Sequence, residues 1–168
     1  MSADQPDDDD PPRRTSGARP EAAKERRRAR VLAFQTLYEV DVARHPPGEV
    51  LRRFAGEQPA SEEFAAYARE IVGGVLQHRA ELDHVIHERA PAWPLAQMSA
   101  VDRNILRIGL FECMHRRDTV APKTAINDSI ELAKMFGSES SPRFVNGVLA
   151  GVVESLAAES EGGKGSRS

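Results

Sequence analysis

Residues 99–117 read SAVDRNILRIGLFECMHRR. Ser99 has the chemistry of a helix N-cap, and Asp102 stands at the third helical position, as in a partial capping box. Val101, Ile105, Leu106, Ile108, Leu110, Phe111, Cys113 and Met114 follow with few polar interruptions. On a helical wheel they cover well over half the circumference, which predicts a central helix buried on most sides. No segment of the chain alternates with a period of two. A buried helix with no strands to lie on needs other helices around it, so the fold is read as all-α, one domain of about six or seven helices.

The flanking sequence supplies those helices. Over 21–44, Val31, Phe34, Tyr38 and Val42 recur at steps of three and four, with Leu37 adjoining. HPPG at 45–48 ends that helix, since neither proline can continue it. A short amphipathic piece carries Val50, Leu51 and Phe54. Ser61 opens a longer segment through Phe64, Tyr67, Ala68, Ile71, Val75, Leu82, Val85 and Ile86, with a break near 77–79. APAWPL at 90–95 is a proline-punctuated loop. Pro122 opens a helix with Ile126, Ile130, Ala133 and Phe136, closed by Gly137. Ser141 as N-cap and Pro142 in the first turn open the last, striped by Val145, Val148, Leu149, Val152, Val153 and Leu156.

Both ends of the 168-residue chain are different in kind. Residues 1–20 are rich in Pro, Asp and small polar residues, and 159–168 are equally poor in aliphatic side chains. Neither can bury enough apolar area to offset ordering entropy, so both are expected to be disordered tails around a domain at 21–158. The single cysteine, Cys113, cannot form an internal disulfide, which favours a reducing, cytoplasmic setting. No apolar stretch reaches the length of a membrane span, and the acidic start is not a secretory signal.

The net charge is −3, yet five cations crowd the start of the first helix: Lys24, Arg26, Arg27, Arg28 and Arg30. At 100° per residue they point in nearly every direction, so no neighbour is expected to pack tightly over this turn. Cations there also oppose the helix macrodipole. The run therefore does not serve the helix, and a phosphate-binding surface is one reading. The other is a solvated end paired with Glu21, Glu25 or the acidic tail. A second oddity lies at 140–154, SSPRFVNGVLAGVVE. Phe144 sits off the centre of its helix stripe, beside Arg143. It suits either nucleobase stacking next to a phosphate contact or packing against a neighbouring loop. Gly147 and Gly151 lie opposite, where a helix backbone or a partner would come close.

RRRARVLAFQTLYE, VDRNILRIGLFE, PKTAINDSIELAKMFG and SPRFVNGVL, in this order and spacing, resemble the NusB family of transcription antitermination factors over about residues 25–153. The resemblance implies an all-α domain of two helical subbundles, with no catalysis and no cofactor. It implies a heterodimer with a small-subunit ribosomal protein acting as NusE. That pair would bind single-stranded boxA RNA of ribosomal RNA transcripts and help the RNA polymerase complex read through terminators. Carried over by position, the arginine-rich RNA motif falls on Arg26, Arg27, Arg28 and Arg30. The second RNA-contacting segment falls on Ser140, Arg143 and Phe144. The ribosomal-protein surface falls on Asp102, with Tyr38 near the same face. The chain departs from the familiar pattern at Ser140, where an acidic residue is often seen. A homodimer that hides the RNA surface is a further possibility of the family.

Rival classes have weaker support. His84 and His87 share a helix face beside Asp83 and Glu88, but catalytic zinc needs three protein ligands and no second cluster accompanies them. No phosphate loop or G-x-G-x-x-G is present. A fused RNA methyltransferase would need an α/β domain for which this chain has no room. A helix-turn-helix DNA reader needs a polar recognition helix, and PKTAINDSIELAK is too apolar and acidic for one. A module that binds protein without specific RNA contact is the standing alternative.

Overall fold

A computed structural model describes residues 18–57 and 61–163. Seven helices and no strands form among them: α1 (Ala18–Ala43), α2 (Pro47–Gly56), α3 (Glu62–Gln77), α4 (Arg79–Arg89), α5 (Ala100–His115), α6 (Pro122–Phe136) and α7 (Ser141–Gly162). Packing divides them into α1–α3 and α4–α7, joined across α5, which touches α1, α3, α4, α6 and α7. No helix among the described residues is long and apolar enough to cross a membrane.

The local signals act mostly as expected. Ser61 Oγ accepts from Phe64 N at 3.2 Å, and Ser99 Oγ accepts from Asp102 N at 3.1 Å. The break between α3 and α4 falls at His78. From Asn104 to Cys113 every residue of α5 is buried. Gly109 allows that depth: a Cβ there would lie 2.6 Å from Ser129 Oγ and 2.7 Å from Leu149 Cδ1. Larger residues would push α6 and α7 off α5.

Four boundaries and faces differ from the sequence reading. α1 begins at Ala18 and α7 runs to Gly162, so helix extends into both stretches expected as tails. Proline is tolerated in a first helical turn, and the Ala–Glu composition after Leu156 favours helix. Residues 1–17 and 164–168, and the acidic run expected to meet the arginines, lie outside the described residues. The N-cap of α7 is Ser140; Ser141 is already helical and buried, and its Oγ accepts from Ser138 N at 2.9 Å. The buried face of α6 runs through Ala125, Asp128, Ser129, Leu132 and Ala133. This is one step round from the Ile126–Ile130 stripe, because Asp128 is drawn inward by an arginine of α1.

Candidate nucleic-acid interface

The basic run of α1 is divided between core and solvent. Arg30 is 2 % exposed, and its guanidinium is fully engaged. Nε and Nη2 donate to the Glu112 carboxylate at 2.8 and 2.7 Å, and Nη1 lies 2.6 Å from Asp128 Oδ2. Tyr67 OH donates to Glu112 Oε2 at 2.6 Å and accepts from Arg30 Nη2 at 3.3 Å. Burial opposes the Arg30 charge, but hydrogen bonding and attraction to Glu112, with Tyr67 and Asp128, outweigh it and raise its pKa. Burial, then the neighbouring Glu112 charge, raises that of the Tyr67 phenol. Arg30 is therefore a structural residue, which corrects both its assignment to RNA and the expectation that nothing packs over this turn. α3 does pack there, with Phe64 and Ala68 against Ala29 and Leu32.

The other arginines stay nearer the surface. Arg27 is 67 % exposed, its Nε 3.6 Å from Asp128. Arg26 is exposed and shares a groove with Glu21, Glu25 and Glu63. Arg28 is half-buried, its guanidinium 5.0 Å over the Phe64 ring and 3.5 Å from Glu25. The reading of an end paired with local glutamates is thus realised in part, at Arg28.

α1 and α6 face each other in parallel across bridging side chains. Arg27 meets Asp128 near their starts, and Phe34 meets Phe136 further along, with ring centroids 4.7 Å apart. Val31 and Met135 line the groove between these points. From Asp128 to Phe136 the helix advances about 12 Å. At that end Phe136 lines two further hollows, which also share Val101.

The first hollow, about 700 Å³, is formed where α7 starts. Ser140, Arg143 and Phe144 line it together, with Asp102 and Trp93. Ser140 and Arg143 are exposed; Phe144 is half-buried and packs against the main core. Its ring lies 6.5 Å from that of Trp93, in the loop between α4 and α5, so packing against a loop is part of its role. Gly137 shapes the wall: its backbone is extended at φ −90°, and a Cβ would come within 2.7 Å of the Ala133 carbonyl. Close approach, not a left-handed turn, fixes glycine there. Gly147 meets no such approach, since a Cβ on it would find nothing within 4 Å, and Gly151 has only Arg89 in ordinary contact.

The second hollow, about 360 Å³, is apolar and lies between α1, α2 and the start of α5. Phe34, Tyr38, Val42 and Phe54 line it, with Val42 55 % exposed. Asp102 stands in the adjoining hollow, and its Oδ1 is buried with no hydrogen-bond partner among the described residues. The reciprocal half of the capping box is thus not made by that oxygen, which leaves an acceptor beside an apolar surface. Tyr38 and Asp102 are brought onto adjoining hollows rather than one. The α1 arginines and the α7 segment line separate hollows, Arg27 that between α1 and α6 and Phe144 the one beyond Phe136.

Sequence reasoning missed three features. Trp93, 57 % exposed, had a signal, since a large aromatic between two prolines has no helix stripe to join. Met135, 62 % exposed, had none beyond the face shift of α6. The Arg30–Glu112 pair also had one: both residues fall on the apolar stripe of their helices.

The sequence matches the NusB family model over residues 27–154. It is 46 % identical over 132 residues to the transcription antitermination protein NusB of Dehalococcoides mccartyi, covering 79 % of this chain and 92 % of that protein. It is 46 % identical over 140 residues to the NusB of Chloroflexus aggregans, covering 83 % and 93 %. Among solved structures, T. maritima NusB superposes with a TM-score of 0.72 at 28 % identity, over 77 % of this chain and 90 % of that one. A chain from the crystal structure of antitermination factors NusB and NusE in complex with dsRNA gives 0.71 at 28 % identity, over 79 % and 98 %. With the seven-helix fold, these matches make the chain a member of the NusB family.

Proposed function

We propose that this protein is a transcription antitermination factor that binds boxA RNA of ribosomal RNA transcripts together with the ribosomal protein NusE, and so promotes read-through by RNA polymerase. One observation carries the reading. Exposed Arg27 lines a groove along α1 and α6, Arg26 stands exposed beside it, and the far end of α6 at Phe136 lines the hollow of Arg143, Phe144 and Trp93. That spacing suits a strand whose backbone is held by arginines while a base reaches the aromatic pair. Ser140 sits at the mouth of the same hollow. Arg28 contributes charge from a fixed position over Phe64. The apolar hollow at Tyr38, with Asp102 lining the hollow next to it, supports a protein partner that makes aliphatic contact on this face.

The test is fluorescence anisotropy of a labelled boxA RNA against a scrambled sequence, with and without NusE, at two salt concentrations. The expected result is tighter binding with NusE and a preference for boxA that survives the higher salt. Equal binding of both RNAs that fades with salt would leave a protein-interaction module without specific RNA contact.

A further inference from the structure

Away from this interface, the corner between α3 and α4 meets the last turn of α5. His78 is the hinge residue, at once the last cap of α3 and the first of α4. Its imidazole stacks on that of His115, with centroids 3.9 Å apart and planes inclined by 17°. Glu81 reaches across both rings: one oxygen is 3.1 Å from His115 Nε2, the other 3.5 Å from His78 Nδ1. The donor atoms of all three lie within 4.8 Å of one another. This trio, separate from His84 and His87, was not singled out in the sequence because His115 lies 34 residues beyond Glu81 along the chain.

We propose that His78, Glu81 and His115 form a three-ligand site for a divalent transition-metal ion, with Zn²⁺ the best match. The chemistry follows from the donor set. Two imidazole nitrogens and one carboxylate are borderline ligands of the kind zinc takes, and they disfavour Ca²⁺ and Mg²⁺, which want mostly oxygen. The geometry agrees. With ligand bonds of about 2.0–2.2 Å, neighbouring donors in a tetrahedron stand roughly 3.3–3.6 Å apart. Glu81 Oε1 stands 3.1 Å from His115 Nε2, close to that edge length, and one donor atom from each of the three residues lies within 4.8 Å of the others. Binding one ion requires the two rings to turn out of their stack so that their in-plane lone pairs converge, by rotation about terminal imidazole torsions, which are broad. The three side chains are between about a quarter and a half exposed, so water fills the fourth position and the ion enters without unfolding.

The floor of the site is built rather than incidental. The Phe111 ring lies 5.9 Å from His115 and 6.1 Å from His78, closing the side away from solvent. Arg116 is turned away, hydrogen-bonded to Glu70 at 3.0 Å. A bound ion would tie the α3–α4 corner to the end of α5, linking the two halves of the fold.

The test is isothermal titration of the full, tag-free chain with Zn²⁺, repeated with Mg²⁺. Single variants H78Q, E81Q and H115Q are compared with H84Q as a control, each checked for native helix content. The proposal expects one Zn²⁺ per chain in the wild type and in H84Q, binding at least tenfold weaker in each ligand variant, and no comparable Mg²⁺ binding. It also expects Zn²⁺ to raise Tm in the wild type and H84Q but not in H78Q or H115Q. Equal affinity in wild type and the three ligand variants overturns it, as does loss of binding in H84Q alone, which would move the ion to His84 and Glu88. Should a ligand variant fold poorly, cobalt substitution in the wild type decides: a four-coordinate visible spectrum supports the site, and a hexaaqua-like spectrum rejects it.

Discussion

At the start of α1 the cations are shared between solvent and core, whereas at the start of α7 a cation and an aromatic both remain at the surface. Arg30 turns inward to Glu112 and Asp128, while Lys24, Arg26, Arg27 and part of Arg28 face outward. Arg143 stays exposed, and Phe144 is held half-buried beside Trp93. The same residue type thus does two jobs within four positions of one helix. Its job is decided by whether the position lies on the stripe that the rest of the domain covers.

The largest effect expected from this contrast is on stability. Glu112 is fully buried, so Arg30→Ala leaves an uncompensated carboxylate inside the protein. The cost is about 3–5 kcal/mol. Arg27→Ala removes an exposed side chain and is expected to stay within about 0.5 kcal/mol. Urea midpoints of the two variants check this. Similar midpoints would mean that Arg30 is not the anchor described here.

Next comes the α7 end. Phe144→Ala is expected to weaken boxA binding by about 1–3 kcal/mol if its ring stacks on a base. Trp93→Ala should weaken it as well, because the two rings share one hollow. A double-mutant cycle in anisotropy separates the roles. Loss of stability with unchanged RNA affinity would reduce Phe144 to a packing residue of the α4–α5 loop.

Most of the helical frame was legible because its punctuation is chemical and local. Ser61, Ser99, Pro47, Pro122 and Pro142 act on their own backbone within a turn. The fate of Arg30 was harder, since its partners lie 82 and 98 residues away and become visible only once α5 and α6 are docked. Still, Arg30 precedes Phe34 by four and Leu37 by seven, and Glu112 sits in the driest helix of the chain. Opposite charges on two apolar stripes are the mark of a buried pair. The α7 site was legible as a segment, but its hollow depends on Trp93 and Gly137, which no periodicity connects to Phe144.

An inward arginine makes stability depend on pH, and the far end of α1 offers the clearest case. Asp41 accepts from Arg103 at 2.7 and 2.9 Å and from Asn104 at 3.0 Å. Burial opposes the carboxylate charge, but these hydrogen bonds and the charges of Arg103 and Arg107 outweigh it, so its pKa is lowered. The unfolded chain then takes up a proton at Asp41 at higher pH than the folded one does. This contribution is fully present above the ordinary aspartate pKa, near 4, and is lost as pH falls through the lowered folded value. Unfolding midpoints should be flat between about pH 7 and 5 and drop below about pH 4. Asp41→Asn should start lower and drop less. An equal drop in both proteins would assign the acid sensitivity elsewhere.

An outward arginine makes binding depend on salt instead, and this is the smallest effect and the finest discriminator. Each phosphate neutralised on a single strand lowers the slope of log K against log salt by about 0.7. Arg27 is mostly exposed and its contact to Asp128, at 3.6 Å, is long, so among the described residues its charge is available to a phosphate. Arg27→Gln should therefore make the boxA salt slope shallower by about 0.7 while leaving the preference over a scrambled sequence unchanged. Phe144→Ala should do the reverse, reducing preference with little change of slope. If both variants change the slope alike, the starts of α1 and α7 are not divided between backbone and base. If Arg27→Gln changes neither, the phosphate contacts fall to Arg26 and Arg28.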